Sequence, residues 1–97
     1  MKFLHVTFHF EYGDAIEGIL DRHGIRDYVR YPMMEGKDAE GKHFGSQIFP
    51  GSTSVVQALL PDGSTEPLLG DLRRFKQEKS SHKHLQAVVL PVERSLE

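Results

Sequence analysis

The chain has 97 residues, enough for one domain with a modest core. Hydrophobic residues make up 38% and charged residues 27%, ordinary globular proportions that exclude global disorder. A formal net charge of -2 gives no electrostatic case for nucleic acid or an anionic membrane, and the lack of cysteine excludes a disulfide framework and thiolate metal sites.

Met1-Lys2-Phe3-Leu4-His5 opens the chain with too short an apolar run for a signal peptide. No stretch approaches the roughly 20 apolar residues of a membrane span. The expectation is a cytoplasmic protein whose residues 1–97 form one domain, without membrane insertion. From Lys2 to Phe10 the pattern alternates. Leu4, Val6, Phe8 and Phe10 share one face, and Phe3, His5, Thr7 and His9 the other, which predicts a strand with its first set against helices. His5 and His9 share a face, but at ~3.4 Å per residue their Cα atoms are roughly 13 Å apart, too far for one metal in one subunit.

The period then changes. Tyr12, Ile16, Ile19, Leu20 and His23 fall on one side of a helix starting near Glu11, with Asp14, Glu17 and Asp21 on the other. Gly24 is the expected stop, with His23 near the terminal carbonyls. Gly18 weakens this helix, and close packing on the sheet is the simple explanation. Ile25 to Met33 reads as a second strand, with Val29, Tyr31 and Met33 opposed to Tyr28 and Arg30. Pro32 marks it as an edge or as ending there.

Met33 to Gly51 holds four glycines, Gly36, Gly41, Gly45 and Gly51, among Glu35, Lys37, Asp38, Glu40, Lys42 and His43. Glycine allows close backbone approach, and so long an irregular segment in a small domain is a functional loop. Phe44, Ile48 and Phe49 anchor its base, and Pro50-Gly51 closes it with a turn. Ser54 to Leu60 is the third strand: Val56, Ala58 and Leu60 on one face, Val55, Gln57 and Leu59 on the other. Pro61-Asp62-Gly63 turns the chain. Ser64 or Thr65 then caps a second helix, with Glu66 and Pro67 in its first turn and Leu68, Leu69, Leu72 and Phe75 as its apolar stripe. Arg73, Arg74, Lys76 and Lys79 complement its C-terminal dipole. Ser80 and Ser81 end it. His84 to Val92 is the last strand, and 93–97 a loose tail.

The order β-α-β-β-α-β predicts an α+β, ferredoxin-like fold: a four-stranded antiparallel sheet, two helices on one face, and the long loop between strands two and three. The sheet's other face, with Phe3, His5, Thr7, Val55, Gln57 and Leu59, is half apolar. A surface of that kind on an open sheet points to association with further copies of the chain.

With this placement of Met33 to Gly51, the chain resembles the PII-like superfamily of trimeric signalling proteins. The CutA divalent-cation tolerance proteins are similar in unit and trimer. The resemblance implies a homotrimer with the sheet faces turned inward, a ligand in the subunit clefts, and a partner (a membrane transporter or an enzyme) met by the long loop, the T-loop of that family. Two departures stand out. Where PII proteins carry a glycine-rich phosphate-binding segment before the last strand, this chain has Lys79-Ser80-Ser81-His82-Lys83-His84. The tyrosine motif uridylylated in enteric PII proteins has no match.

The loop therefore supplies the expected ligand and partner site: Glu35, Gly36, Lys37, Gly41, Lys42, His43 and Gly45. Lys37 and Lys42 are placed to hold an anion, helped by the amides about Gly36, Gly41 and Gly45. Six histidines are more than usual. His82 and His84, two apart in an extended segment, would face one way and with His43 could bind zinc, nickel or copper. No nucleophile with a base at readable spacing, phosphate-binding loop or dinucleotide fingerprint occurs. Arg73, Arg74, Lys76, Lys79 and Lys83 lack the interleaved aromatics of a nucleic-acid surface. The leading expectation is a PII-like, non-enzymatic regulator whose cofactor is a nucleotide or a divalent metal. A CutA-like or efflux-associated metal-binding protein is the first alternative, and a small enzyme on a ferredoxin-like unit the second.

Overall fold

The computed structural model describes residues 1–34, 36–38, 41–43 and 53–96, with only the backbone of residues 33, 36–38 and 41–43. Strand β1 (Lys2–His9) is followed by helix α1 (Gly13–Arg22), β2 (Tyr28–Met34), the short β3 (Gly36–Asp38) and β4 (Gly41–His43), β5 (Thr53–Leu60), α2 (Thr65–Glu78) and β6 (Gln86–Pro91). Four strands form one antiparallel sheet in the order β2-β5-β1-β6. This is the ferredoxin-like arrangement. The edges are β2 and β6, and Pro32 lies on an edge, where its missing amide costs no ladder bond.

The alternation in β1 is realised as read. Leu4, Val6 and Phe8 are buried, while Phe3, His5, Thr7 and His9 are half-buried on the opposite face. In β5 the buried set is Ser54, Val56, Ala58 and Leu60. Against these strands pack Ile16, Ile19 and Leu20 of α1 and Leu68 and Leu72 of α2, with Ile25 and Leu85 closing the ends of the core. Each such aliphatic side chain contributes about 1.5–3 kcal/mol by leaving water.

Several boundaries differ from the sequence reading, each for a local reason. Phe10 is not the last core residue of β1. It begins a 3₁₀ turn, Phe10–Tyr12, in which Nδ1 of His9 accepts the Glu11 amide at 3.2 Å. The turn satisfies early amides and delays α1 to Gly13. The stop at Gly24 holds, with φ at +75°. Gly24 N–H donates to Asp21 O at 3.0 Å and Ile25 N–H to Leu20 O at 3.0 Å, the paired bonds of a Schellman motif. Ile25 is thereby drawn into the core, and β2 begins at Tyr28 instead. The His23 side chain does not turn to the helix-end carbonyls. Its Nε2 lies 2.5 Å from Asp71 Oδ2 of α2, joining the two helices, and Arg74 pairs with the same carboxylate.

No side-chain cap starts α2. Ser64 has φ −87° and ψ −13°, inside the helical region, so its hydroxyl does not turn back on the helix amides. A 3₁₀ turn, Asp62–Ser64, takes that role: Ser64 N–H donates to Pro61 O at 3.1 Å and Thr65 N–H to Asp62 O. The amine of Met1 pairs with Asp62 at 2.7 Å and, by hydrogen bond and charge, lowers that carboxyl's pKa. Close packing does not account for Gly18, since a methyl there meets nothing within 4 Å.

Candidate functional site

The register of the large sheet fixes what lies on its uncovered face. Leu59, Phe3 and Leu90 form one row; Val29, Gln57, His5 and Val88 the next; Tyr31, Val55, Thr7 and Gln86 a third. Val29, Leu59, Val88, Leu90 and Tyr31 are between 41% and 54% exposed, far more than core residues of this size retain. Met34, opposite Thr53, extends the same surface and is also exposed. Among the described residues these rows contain no carboxylate, ammonium or guanidinium group. Their polar centre is His5, whose Nδ1 lies 3.2 Å from Gln57 Nε2, in position to accept the amide hydrogen when unprotonated.

The two faces of edge strand β2, opposed in the sequence, are assigned by its pairing. Its register sets Val29 and Tyr31 on the uncovered face and Tyr28 and Arg30 on the helix side. Arg30 reaches Glu17 of α1 at 3.2 Å, and its guanidinium lies directly over Gly13, where an added methyl would sit 2.5 Å from Nη2. Tyr28 sits beside the same helix. Its phenol pKa is raised first by burial and then by the charges of Glu17 and Asp21.

The register with β5 breaks between Tyr31 and Met34, a bulge at the end of β2 where the chain enters the segment leading to β5. Part of the expected irregular loop is regular: β3 and β4 pair antiparallel, with Gly36 opposite His43, Lys37 opposite Lys42 and Asp38 opposite Gly41. Of the expected site residues, Gly36, Lys37, Gly41, Lys42 and His43 thus come together in one ribbon. Glu35 and Gly45 lie outside the described residues, as do Glu40, Phe44, Ile48, Phe49 and the Pro50-Gly51 turn.

The sequence matches no protein-family model, and no curated protein matches it. The fold does find relatives. CPII, a nitrogen regulatory PII-like protein from Thiomonas intermedia K12, in a structure bound to ADP, AMP and bicarbonate, superposes with a TM-score of 0.74 over 92% of this chain and 88% of its own, at 20% identity. Its apo form gives 0.64 over 92% and 89%, at 17% identity. A protein from Thermus thermophilus, described as a PII-like signaling protein, also gives 0.64, over 91% and 80%, at 14% identity. This chain has the PII-like fold.

Within the PII-like fold, the departure between α2 and β6 acquires a structure. The segment is not extended: Ser80–His82 is a 3₁₀ turn and residues 83–84 continue as a turn, so the alternation that would have aimed His82 and His84 together does not apply. His82 is buried. Its ring stacks on Phe75 at 4.0 Å and 8°, meets Tyr12 edge-on at 4.5 Å, and its Nδ1 lies 2.6 Å from Phe75 O. A carbonyl only accepts, so Nδ1 carries the proton and the ring ties down the last turn of α2. His84 is half-buried, and the His43 side chain is outside the described residues. Among the described residues no three histidine or carboxylate side chains are grouped to hold a metal ion.

Beside this turn an open groove of about 420 Å³ runs between α2 and edge strand β6, floored by Leu69, Leu72 and Leu85 and flanked by Arg73 and Lys76. The aromatic seat of His82 and the helix-side placement of Arg30 both escape sequence reading. The first joins residues of three elements, and the second depends on β2 being an edge. Among the described residues no helix is long and apolar enough to cross a membrane.

Proposed function

We propose that this protein is a PII-like signalling regulator rather than an enzyme, a homotrimer in the cytoplasm that binds a small anionic ligand at its subunit clefts and a partner protein through residues 33–51. The observation that carries the reading is the superposition on CPII, at a TM-score of 0.74 over nearly the whole of both chains, because that relative is bound to ADP, AMP and bicarbonate. The central rows of the uncovered sheet face supply the surface through which copies pack. Its apolar rows leave water on contact, at ~25 cal/mol for each Å² covered.

The ligand class follows from the basic residues of two segments. Lys79 and Lys83, both exposed on the segment between α2 and β6, provide cations for a phosphate where glycine amides are lacking. Lys37 and Lys42, opposed across the ribbon, provide a second anion contact. A ligand that touches both segments stabilises one loop arrangement over others. It thereby changes affinity for a partner that meets Glu35, Gly36, Lys37, Gly41, Lys42, His43 and Gly45.

Calorimetry with ADP and AMP, with and without bicarbonate, tests this. The expected result is saturable adenine-nucleotide binding at one site per protomer, weakened at least tenfold in a Lys79→Ala/Lys83→Ala variant. Absence of any nucleotide binding at millimolar concentration contradicts the reading.

A further inference from the structure

His5 sits in the middle of the uncovered sheet face, on inner strand β1, between Gln57 and Val88. Its neighbours on that face can be named strand by strand. On β1 they are Phe3 and Thr7, with His9 at the far end, 3.8 Å from Glu11. On β5 they are Val55, Gln57 and Leu59, on β6 Gln86, Val88 and Leu90, and on β2 Val29 and Tyr31. Tyr31 and His9 are the other titratable groups among them. Charged groups stand at the margins, Glu11 beside His9 and Arg26 and Asp27 beside Val29, Gln57 and Leu59 at the β2 edge, and among the described residues no carboxylate stands within the rows themselves.

We propose that His5 makes the association of copies through this face dependent on pH: assembled when the imidazole is neutral, released when it is protonated. The inference rests on the self-association reading above. A second copy is the occupant the chemistry favours. With its fixed charges confined to the margins, the centre of the face meets its own copy with no like-charge repulsion. A charged partner surface would find no counter-charge here. Among the described residues, six of the eight large exposed apolar side chains (Val29, Tyr31, Met34, Leu59, Val88 and Leu90) lie on it.

Histidine is the one side chain whose ordinary titration spans pH 5–8. Neutral His5 shares a hydrogen bond with Gln57, and both are uncharged, so covering them strands no charge. Protonation puts a full charge at the centre of the contact. The Gln57 amide can turn its oxygen toward the ring, but it cannot cancel the charge. A covered, unpaired cation is strongly unfavourable, so the proton and the second copy exclude one another. By linkage, the association constant falls by up to tenfold per pH unit for each His5 covered, or up to a thousandfold per unit for a trimer.

Sedimentation velocity at fixed protein concentration, from pH 8.0 to pH 5.5, tests the proposal on the wild type and on His5→Gln, His5→Asn and His9→Gln. The expected result is an assembly at pH 8.0 that dissociates to protomers by pH 5.5 in the wild type and in His9→Gln, and persists across the range in at least one His5 variant. Unchanged circular dichroism at pH 5.5 separates dissociation from unfolding. A wild type that stays assembled at pH 5.5, or His5 variants that dissociate in step with it, overturns the pH gate and leaves the assembly reading standing. A wild type that is monomeric at pH 8.0 overturns both.

Discussion

Tyr28 shows how one residue couples the edge strand to helix α1. Its phenol is half-buried beside Glu17 and Asp21, and burial first, then those two charges, raise its pKa above 10.0. The raised value favours the neutral phenol in the folded protein. Its stabilising contribution is complete below the unfolded value near 10.0 and is lost as pH rises through the folded value, because only the unfolded chain ionises readily there. Urea unfolding at pH 8 and at pH 10.5 checks this. The wild type loses stability between the two, and Tyr28→Phe loses less. Equal losses in both proteins contradict the assignment. Arg30 and His82 act at the same scale. Each is a polar residue held on the helix side by one partner, Glu17 for the first and Phe75 O for the second. A sequence pattern marks such residues as surface, because their partners come from other elements.

At the scale of elements, the sheet was legible because alternation in β1 and β5 is unbroken, and the helices because Ile16, Ile19, Leu20, Leu68 and Leu72 keep helical spacing. The boundaries were not. Short 3₁₀ turns at Phe10–Tyr12, Asp62–Ser64 and Ser80–His82 satisfy helix-end groups without any side-chain signature. The facing of β2 was hidden for another reason. Arg30 and Val29 sit on the sides opposite to their polarity, which is tolerable only on an edge where Arg30 finds Glu17 and Val29 finds a surface awaiting cover. The loop between β2 and β5 was recognised as one excursion, and the β3–β4 ribbon within it was not, since glycine and lysine are poor strand formers. Among the described residues the core is drawn from the large sheet, α1, α2 and the segments beside them, so deleting residues 37–45 is expected to change the unfolding free energy by less than about 1 kcal/mol while abolishing partner or ligand binding. A deletion protein that fails to fold shows that the excursion is structural.

For the whole molecule, the arrangement leaves one side finished and the other incomplete. Two helices bury Leu4, Val6, Phe8, Val56 and Leu60, whereas Val29, Leu59, Val88 and Leu90 on the reverse of the same sheet remain about half exposed. The expected half-apolar face is present, and its full extent, from Val29 on one edge to Leu90 on the other, emerges only once the register is known. The metal expectation rested on His82 and His84 sharing an extended segment. The turn at 80–84 instead places His82 among the aromatic rings of Tyr12 and Phe75.

Copies of this chain are proposed to join through the uncovered face with an anionic ligand between them. Native mass spectrometry at pH 8.0 with ADP reads both parts in one spectrum. The expected spectrum shows a trimer carrying up to three ADP molecules, and protomers without nucleotide when Val88→Glu puts a carboxylate on the face. A wild-type protein that flies as a bare protomer under those conditions contradicts the proposal.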